Sequence, residues 1–256
     1  MNVFFLAIAF AIAPASGAEA KIETFSLQNG LRVVLAPDPA VPVVTVSMIF
    51  DVGGRQEPPG RSGFAHLFEH LMFEGSRNAP KGAFDRVLET YGGDNNASTH
   101  EDFTFYYEVL PSNALPIALW LDADRLSALS ITEESFRNQV SVVQEEKRQS
   151  VDNQPYGPLL YVDIASRTFQ NWTNAHPTIG SFEDLSAATL KDVKEFFNAY
   201  YAPSNAWLAV VGDFDPAEAR RDVERYFAWI ANLGTPTPVD TSEPPQEEPR
   251  RWTLRD

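Results

Sequence analysis

The chain has 256 residues, of which 44% are hydrophobic, enough to build the core of one large domain or two small ones. Acidic residues outnumber basic residues by 35 to 20, which gives a formal net charge of -15. A nucleic-acid-binding protein needs a basic face, so this charge argues against that class. The chain contains no cysteine, which excludes disulfides, a thiolate metal site and a cysteine nucleophile.

The first 20 residues have the pattern of a secretory signal peptide. An apolar stretch runs from Val3 to Ala13, and the small residues after it offer cleavage after Ala18 or Ala20. The alternative is a buried helix or an uncleaved anchor, because no Lys or Arg precedes the stretch. About eleven apolar residues are too few to span a bilayer comfortably. We therefore expect export to the periplasm and no stable membrane span.

The next elements in chain order are short strands. They are expected in IETFSL, LRVVLAP and VPVVTVSMIFDVG, and the turn Asn29-Gly30 between the first two predicts a hairpin. Apolar residues at helical spacing in FDRVLETYGG predict a helix that Gly92 ends. The alternation in STHEDFTFYYEVL predicts a half-buried strand.

The rest of the chain is expected to be mainly helical. One helix is predicted from Ser112 through LPIALWLDADRLSAL, and another is capped near Thr132, with Glu133 and Glu134 in its first turn. Two more, in AATLKDVKEFFNAYY and PAEARRDVERYFAWI, flank the strand AWLAVVGDF. Because hairpins replace regular βαβ alternation, we predict an α+β fold, a two-layer sandwich of a mainly antiparallel sheet packed with helices.

The composition changes from Gly234 onward. The segment GTPTPVDTSEPPQEEP is rich in Pro, Thr and Glu and reads as an extended linker. We therefore expect residues 21–233 to form the folded domain, and residues 234–256 to be a linker and the start of a second half.

The stretch GFAHLFEHLMFEG places two histidines and a glutamate close together. Because an α-helix turns by 100° per residue, His66, Glu69 and His70 fall on one face about 100° wide. The apolar residues of the stretch lie nearly opposite; they are Phe64, Leu67, Phe68 and Leu71. One side of the helix can thus be anchored in the core while the other presents the polar triplet to a cleft.

Histidines at positions i and i+4 can place two imidazole nitrogens on one Zn²⁺ at about 2.0 Å. Glu69 is then well placed to take a proton from a water molecule at the metal. This order, H-x-x-E-H, is the inverted form of the commoner zinc-protease motif. The alternative is structural, with partly buried histidines and Glu69 paired with one of them. Since two of only four histidines stand in the motif, the metal site is favoured.

A catalytic zinc ion usually has three protein ligands, so the chain must supply another. The candidates are His100, His176, Glu145 and Glu146. In the helix ESFRNQVSVVQEEKRQS, Glu146 borders the apolar stripe, whereas Glu145 points away from it. A carboxylate at a buried boundary is costly unless a cation meets it, so we favour Glu146 as a ligand over a solvated glutamate. His100 and His176 are expected to be ordinary polar histidines.

With HLFEH followed by a glutamate 76 positions after the second histidine (146 − 70 = 76), the chain resembles the pitrilysin-type zinc metallopeptidases. This group includes insulysin and the mitochondrial processing peptidases. The resemblance covers most of the chain after the signal segment and includes GGDNNASTHEDFTFYY, VSVVQEEKR, HPTIGSFEDL and FFNAYYAPSNAWLAVVGDFD in family order. It implies the fold of a half-domain of this family.

The resemblance also implies residue roles. One Zn²⁺ per chain would be bound by His66, His70 and Glu146, with Glu69 as the general base. Residues 96–98 (Asn96, Ala97 and Ser98) would form a sheet edge on which the substrate peptide lies as an added strand, a mode in which main-chain hydrogen bonds supply the affinity. The alternative for Asn95 and Asn96 is a polar turn after Gly92-Gly93.

Two features depart from the family pattern. Many members have a glutamate seven residues before the ligand glutamate, where this chain has Gln139, which can hydrogen-bond near the site but adds no charge. Family proteins also resemble two such domains in tandem or two partner subunits, and the second half supplies an arginine and a tyrosine that hold the substrate. This chain resembles the first half alone.

Two functional hypotheses result. The first is a zinc-dependent endopeptidase domain that cleaves a peptide or small protein substrate and needs a C-terminal half-domain or homologous partner subunit for full activity. The second is a non-catalytic binding or scaffold subunit of a two-part peptidase complex. The complete motif argues against the second hypothesis, and the missing half argues for it.

Overall fold

The computed structural model describes residues 21–234, 236 and 238–254. The signal peptide predicted for residues 1–20 lies outside this range. Across the described part of the chain, no helix combines the length and apolar character needed to cross a membrane.

Six strands form one sheet in the order β1-β2-β6-β3-β5-β4. The strands are β1 (Glu23–Ser26), β2 (Arg32–Pro37), β3 (Val43–Phe50), β4 (Asp94–Thr99), β5 (Thr104–Pro111) and β6 (Ala206–Gly212). Neighbouring strands are antiparallel except β2 and β6, which are parallel. The β1–β2 hairpin predicted from Asn29-Gly30 is confirmed, with Gly30 at a φ of 93°.

The α-helices alternate with the strands only in part. They are α1 (Phe64–Leu71), α2 (Ala83–Thr90), α3 (Leu115–Ala128), α4 (Glu133–Lys147), α5 (Ile164–Thr168), α6 (Trp172–Ala175), α7 (Phe182–Ala187), α8 (Leu190–Tyr200) and α9 (Pro216–Phe227). The Thr132 cap of α4 is confirmed, because its hydroxyl accepts the Ser135 N–H. The helix expected from Ser112 begins with a 3₁₀ turn, and α3 proper starts at Leu115.

One prediction within the sheet is wrong in part. The segment STHEDFTFYYEVL is not one strand, because the chain turns after Thr99, where the His100 N–H bonds the Phe103 carbonyl (2.9 Å). Its two ends belong to the antiparallel pair β4 and β5. The polar-turn alternative for Asn95 and Asn96 is also wrong, since both lie in β4, at the edge of the sheet.

The buried face of β5 carries polar residues that have specific partners. The Thr104 hydroxyl donates to the Val52 carbonyl (2.8 Å), and Glu108 pairs with Arg125 of α3 (2.8 Å). Arg125 also pairs with Asp122 (2.5 Å), and all three charged side chains are almost fully buried. Burial, followed by the nearby Asp122 charge, raises the pKa of Glu108 well above its usual value. This triad ties α3 to the sheet.

The core lies between the sheet and the helices. Alternate residues of the central strands, such as Val46 and Met48 of β3 and Leu208 of β6, are fully or almost fully buried. The α+β sandwich with a mainly antiparallel sheet is therefore confirmed. Residues 238–254 contain no helix or strand, and Glu243 accepts the backbone N–H groups of Gln170 and Asn171.

Candidate metal centre

Helix α1 is fixed in the core by its apolar face. Phe64, Leu67, Phe68 and Leu71 are at most 1% exposed. The Phe68 ring stacks on Phe196 of α8 and on Tyr201, with ring centroids 5.1 and 5.0 Å apart. On the other side of the helix Glu69 and His70 are only partly buried, whereas His66 is buried. The predicted anchoring of the apolar face is confirmed, but the polar triplet is less open than predicted, because His66 is buried with that face.

The first turn of α1 is capped by the carboxylate of Glu57, which precedes the helix in the chain. Gly63 precedes the helix with a φ of 87° and has no side chain to cap it. The buried Glu57 carboxylate instead accepts the N–H groups of Gly63 (2.9 Å) and Ala65 (2.7 Å). It also contacts His176 Nε2 (3.1 Å), whose other ring nitrogen lies 2.6 Å from the Trp172 carbonyl. The helix that carries the motif is thus held at its N-terminus by a buried polar network.

Three potential ligands meet between α1 and α4. His66 Nε2 lies 3.6 Å from Glu146 Oε1, and His70 Nε2 lies 3.2 Å from Glu146 Oε2. One ligand atom from each of the three residues lies within 4.8 Å of the others, and no second group of this kind occurs among the described residues. Ligands of a tetrahedral zinc ion, bound at about 2.0–2.1 Å, are about 3.3 Å apart. The two distances between histidine nitrogens and Glu146 oxygens are close to this value, so the three side chains could hold a zinc ion.

The pKa shifts of His66 and Glu146 also favour the forms of these side chains that can bind a cation. Burial lowers the pKa of His66, the Glu146 carboxylate opposes this and the nearby His70 adds to it, and the net pKa is about 4. The hydrogen bond from His70 lowers the pKa of Glu146, against the effect of burial. A neutral imidazole and a carboxylate both offer lone pairs. His66 Nδ1, the ring nitrogen that does not face Glu146, is buried without a hydrogen-bond partner among the described residues.

Glu69 lies beside this cluster and is held by one hydroxyl. The Thr99 hydroxyl, at the end of β4, donates to Glu69 Oε2 at 2.5 Å. Burial raises the pKa of Glu69, while the Thr99 hydrogen bond and the nearby His70 lower it in part. The arrangement leaves a carboxylate with raised proton affinity next to the potential metal ligands.

The other candidates from the sequence lie elsewhere. Glu145 is exposed and bonds Arg148 and Gln149, so it points away from the cluster as expected. His100 is exposed and stacks on Phe103. His176 belongs to the Glu57 network and is buried. The expectation that both histidines lie outside the metal cluster agrees with these positions.

Gln139, which stands where many family members have a glutamate, lies on α4 about two turns before Glu146. Its amide donates to Glu74 Oε1 at 2.6 Å, and Lys81 pairs with the other Glu74 oxygen at 2.7 Å. A carboxylate, that of Glu74, is therefore present beside Gln139, although α4 does not supply it.

The edge strand β4 and a cavity border the cluster. Asn96 is exposed, Ala97 and Ser98 are partly buried, and the Asn96 side chain accepts the Ala97 N–H at 2.8 Å. A peptide that takes this N–H must displace the amide. A cavity of about 540 Å³ lies alongside, and its lining includes His66, Thr99, Tyr161 and Phe169.

Two residues with direct roles in this geometry escape sequence reasoning. Glu57 caps α1 from six residues before Gly63, and Thr99 bonds Glu69 from a different element. Helical periodicity reports only residues of the same helix, so it carries no signal for either. The one available signal was that Thr99 directly follows residues 96–98, the expected substrate-binding edge.

Two models of one protein family match the chain. The model of the insulinase family, peptidase family M16, matches residues 32–181, and the model described as the M16 inactive domain matches residues 187–255. The chain is 36% identical to the zinc protease PqqE of Helicobacter pylori over 238 residues, which are 90% of this chain and 52% of that protein.

Solved structures give the same result. A protease from Helicobacter pylori superimposes with a TM-score of 0.80 at 34% identity, covering 88% of this chain and 53% of the other. The periplasmic protease PqqL from Escherichia coli, at 22% identity and a TM-score of 0.80, shares the fold over 88% of this chain and 25% of its own. The chain spans about half the length of the curated relatives it matches. Because a family model covers more than half of the sequence, the chain belongs to the insulinase family, peptidase family M16.

Proposed function

We propose that this chain is a zinc-dependent endopeptidase domain in which His66, His70 and Glu146 bind one zinc ion. The observation that carries the proposal is the convergence of these three side chains beside Glu69, with 3.2 and 3.6 Å between the imidazole nitrogens and the carboxylate. Membership of a peptidase family and a relative named as a zinc protease support the same reaction class.

A zinc ion at this position would polarise a peptide carbonyl and make water more acidic. Glu69 is the general base in this proposal, because its carboxylate lies on the same face of α1 as His66 and His70. It accepts a proton from the attacking water and then donates that proton to the leaving amine nitrogen. Helix α1 orients Glu69 through its buried apolar face and through the Glu57 cap.

The substrate is a peptide or small protein in extended form. We propose that it lies along Asn96, Ala97 and Ser98, because β4 is the outer strand of the sheet and its last residue, Thr99, bonds Glu69. An edge strand binds main-chain groups of any sequence, so side-chain cavities such as the one beside His66 would set the preference.

Full activity would require a C-terminal half-domain or a homologous partner subunit. The length of the relatives, about half of which this chain matches, supports this proposal. In this organisation residues 21–233 form the catalytic domain and residues 234–256 lead to the second half. We further propose a signal peptide at residues 1–20 and a periplasmic location, because an apolar stretch followed by small residues is typical of such a peptide.

The test is zinc content and cleavage of an internally quenched peptide, measured for the chain and for the complete product of its reading frame. We expect about one zinc ion per chain and cleavage in the wild type. Glu69→Gln is expected to keep the zinc and to lose at least about 100-fold in kcat, the usual size of a general-base contribution. Full activity in Glu69→Gln would contradict the proposed mechanism.

A scaffold function makes a different prediction in the same experiment. A non-catalytic subunit would bind zinc or partner protein and leave the peptide intact, even as the complete reading-frame product. The complete cluster of His66, His70 and Glu146 beside Glu69 speaks against this outcome.

A further inference from the structure

The Glu69 carboxylate has one hydrogen-bonding side chain to hold it among the described residues. The Thr99 hydroxyl donates to Glu69 Oε2 at 2.5 Å, which leaves the other oxygen, Oε1, to accept a proton. A glutamate on a helix face otherwise samples several rotamers, and fixing it costs conformational entropy. A single donor at this distance selects one of them.

Thr99 is itself held firmly. It pairs with Thr104 across the β4–β5 hairpin, and the Thr104 hydroxyl is buried against the Val52 carbonyl at 2.8 Å. The turn that follows is closed by the His100 N–H on the Phe103 carbonyl. Threonine is also stiff at χ1 because it is branched at Cβ. The donor therefore stands on a rigid part of the sheet.

This bond links two parts of the site that lie on different elements. Glu69 belongs to α1, whereas Thr99 ends the edge strand along which the substrate is proposed to lie. A peptide added to β4 and the carboxylate held by Thr99 are therefore both positioned by the same strand. Catalysis requires such groups to be placed within about 0.5 Å of the productive geometry.

We propose that Thr99 is a positioning residue, whose hydroxyl fixes the Glu69 carboxylate relative to a peptide bound on β4. The inference rests on the proposed function, since it assigns Thr99 a role through Glu69. Thr99 does not contact the metal ligands in this assignment and acts only through the general base.

The test compares Thr99→Val, which removes the hydroxyl at nearly constant shape, with Thr99→Ser, which restores it. Thr24→Val is the matched control, because Thr24 is an exposed strand residue in β1, at the opposite edge of the sheet. For each zinc-loaded variant, assayed together with the C-terminal half-domain or partner subunit, we would measure kcat, KM, zinc affinity and the order of the Glu69 side chain in a crystal structure.

We expect kcat of Thr99→Val to fall by about 10- to 100-fold, the value of a hydrogen bond to a charged group. KM and zinc affinity should stay within about threefold of the wild type, and Thr99→Ser should recover most of kcat. In crystals, Glu69 should occupy one rotamer in the wild type and several in Thr99→Val. Thr24→Val should behave as the wild type.

Two results would overturn the positioning role. One is wild-type kcat in Thr99→Val together with a single ordered Glu69 rotamer. The other is a parallel loss of zinc affinity and kcat, which would show that Thr99 only maintains the fold. Both results differ from failure of the proposed function, which would be revealed by an active Glu69→Gln variant. In that case the Glu69 rotamers in the wild type and in Thr99→Val would still show whether Thr99 holds the carboxylate.

Discussion

Glu57→Gln tests whether the buried cap holds the metal-binding helix. Glu57 is 2% exposed, and its two oxygens accept N–H groups from Gly63 and Ala65 and contact His176 Nε2. His176 Nε2 also lies 2.7 Å from the Gly54 carbonyl, so this nitrogen carries a proton. Every polar neighbour of the carboxylate is then a donor. In the variant one carboxylate oxygen becomes an NH₂ group that faces donors.

The expected cost follows from that mismatch. A buried donor left without an acceptor costs about 1–3 kcal/mol, and hydrogen bonds to a charged acceptor are worth about 1.5–3 kcal/mol each. We therefore expect the free energy of unfolding to fall by about 2–4 kcal/mol. Since domains are stable by about 5–15 kcal/mol, Glu57→Gln should still fold.

The assay is urea unfolding followed by circular dichroism. With an m-value of about 1–3 kcal/mol/M, the midpoint should move down by about 1–2 M at unchanged m. Glu89→Gln on α2 is the control, because Glu89 is exposed, and its stability should change by less than about 0.5 kcal/mol. If Glu57→Gln unfolds at the same urea concentration as Glu89→Gln, the carboxylate does not stabilise α1 and the reasoning is refuted.

Three further predictions concern the charged groups. Arg125→Met should lower the free energy of unfolding by about 3–5 kcal/mol because two buried carboxylates lose their partner, whereas Arg137→Met, at an exposed site, should change it little in urea titrations. Burial lowers the pKa of His176, but its hydrogen bonds to Glu57 and Trp172 outweigh this and raise it overall. The stabilisation that protonated His176 adds to the folded state is therefore complete below pH 6.5 and is lost as pH rises through the raised pKa. The difference in free energy of unfolding between the wild type and His176→Gln should shrink from pH 6 to pH 9. A constant difference would contradict the assignment. Glu146→Gln should weaken zinc binding at least about 100-fold in a chelator competition, while the exposed Glu145→Gln should not, and equal effects would contradict the ligand assignment.

The sequence predicts helix α1 and its division into two faces because periodicity reports which residues of one helix share a side. The same reasoning places Glu146 at the boundary of the buried stripe, and the structure brings it to His66 and His70. Periodicity could not show that α1 and α4 pack side by side, which only the resemblance to the family implied.

Contacts between distant segments are what the sequence does not reveal. The turn at His100–Phe103 has no Asn-Gly or Pro-Gly signal, so the sequence predicts one strand where the end of β4 and the whole of β5 are two. The buried Glu108 looks like a surface residue of an alternating strand until its partner Arg125 is placed by tertiary packing. Pairings of this kind depend on the whole fold rather than on local pattern.

X-ray absorption at the zinc edge of the zinc-loaded chain tests the central claim most directly. The account predicts two imidazole ligands at about 2.0–2.1 Å with oxygen in the remaining positions, and one imidazole fewer after His66→Ala or His70→Ala. A chain that binds no zinc, or a spectrum with two imidazoles that persist in both variants, would contradict the assignment of the metal centre.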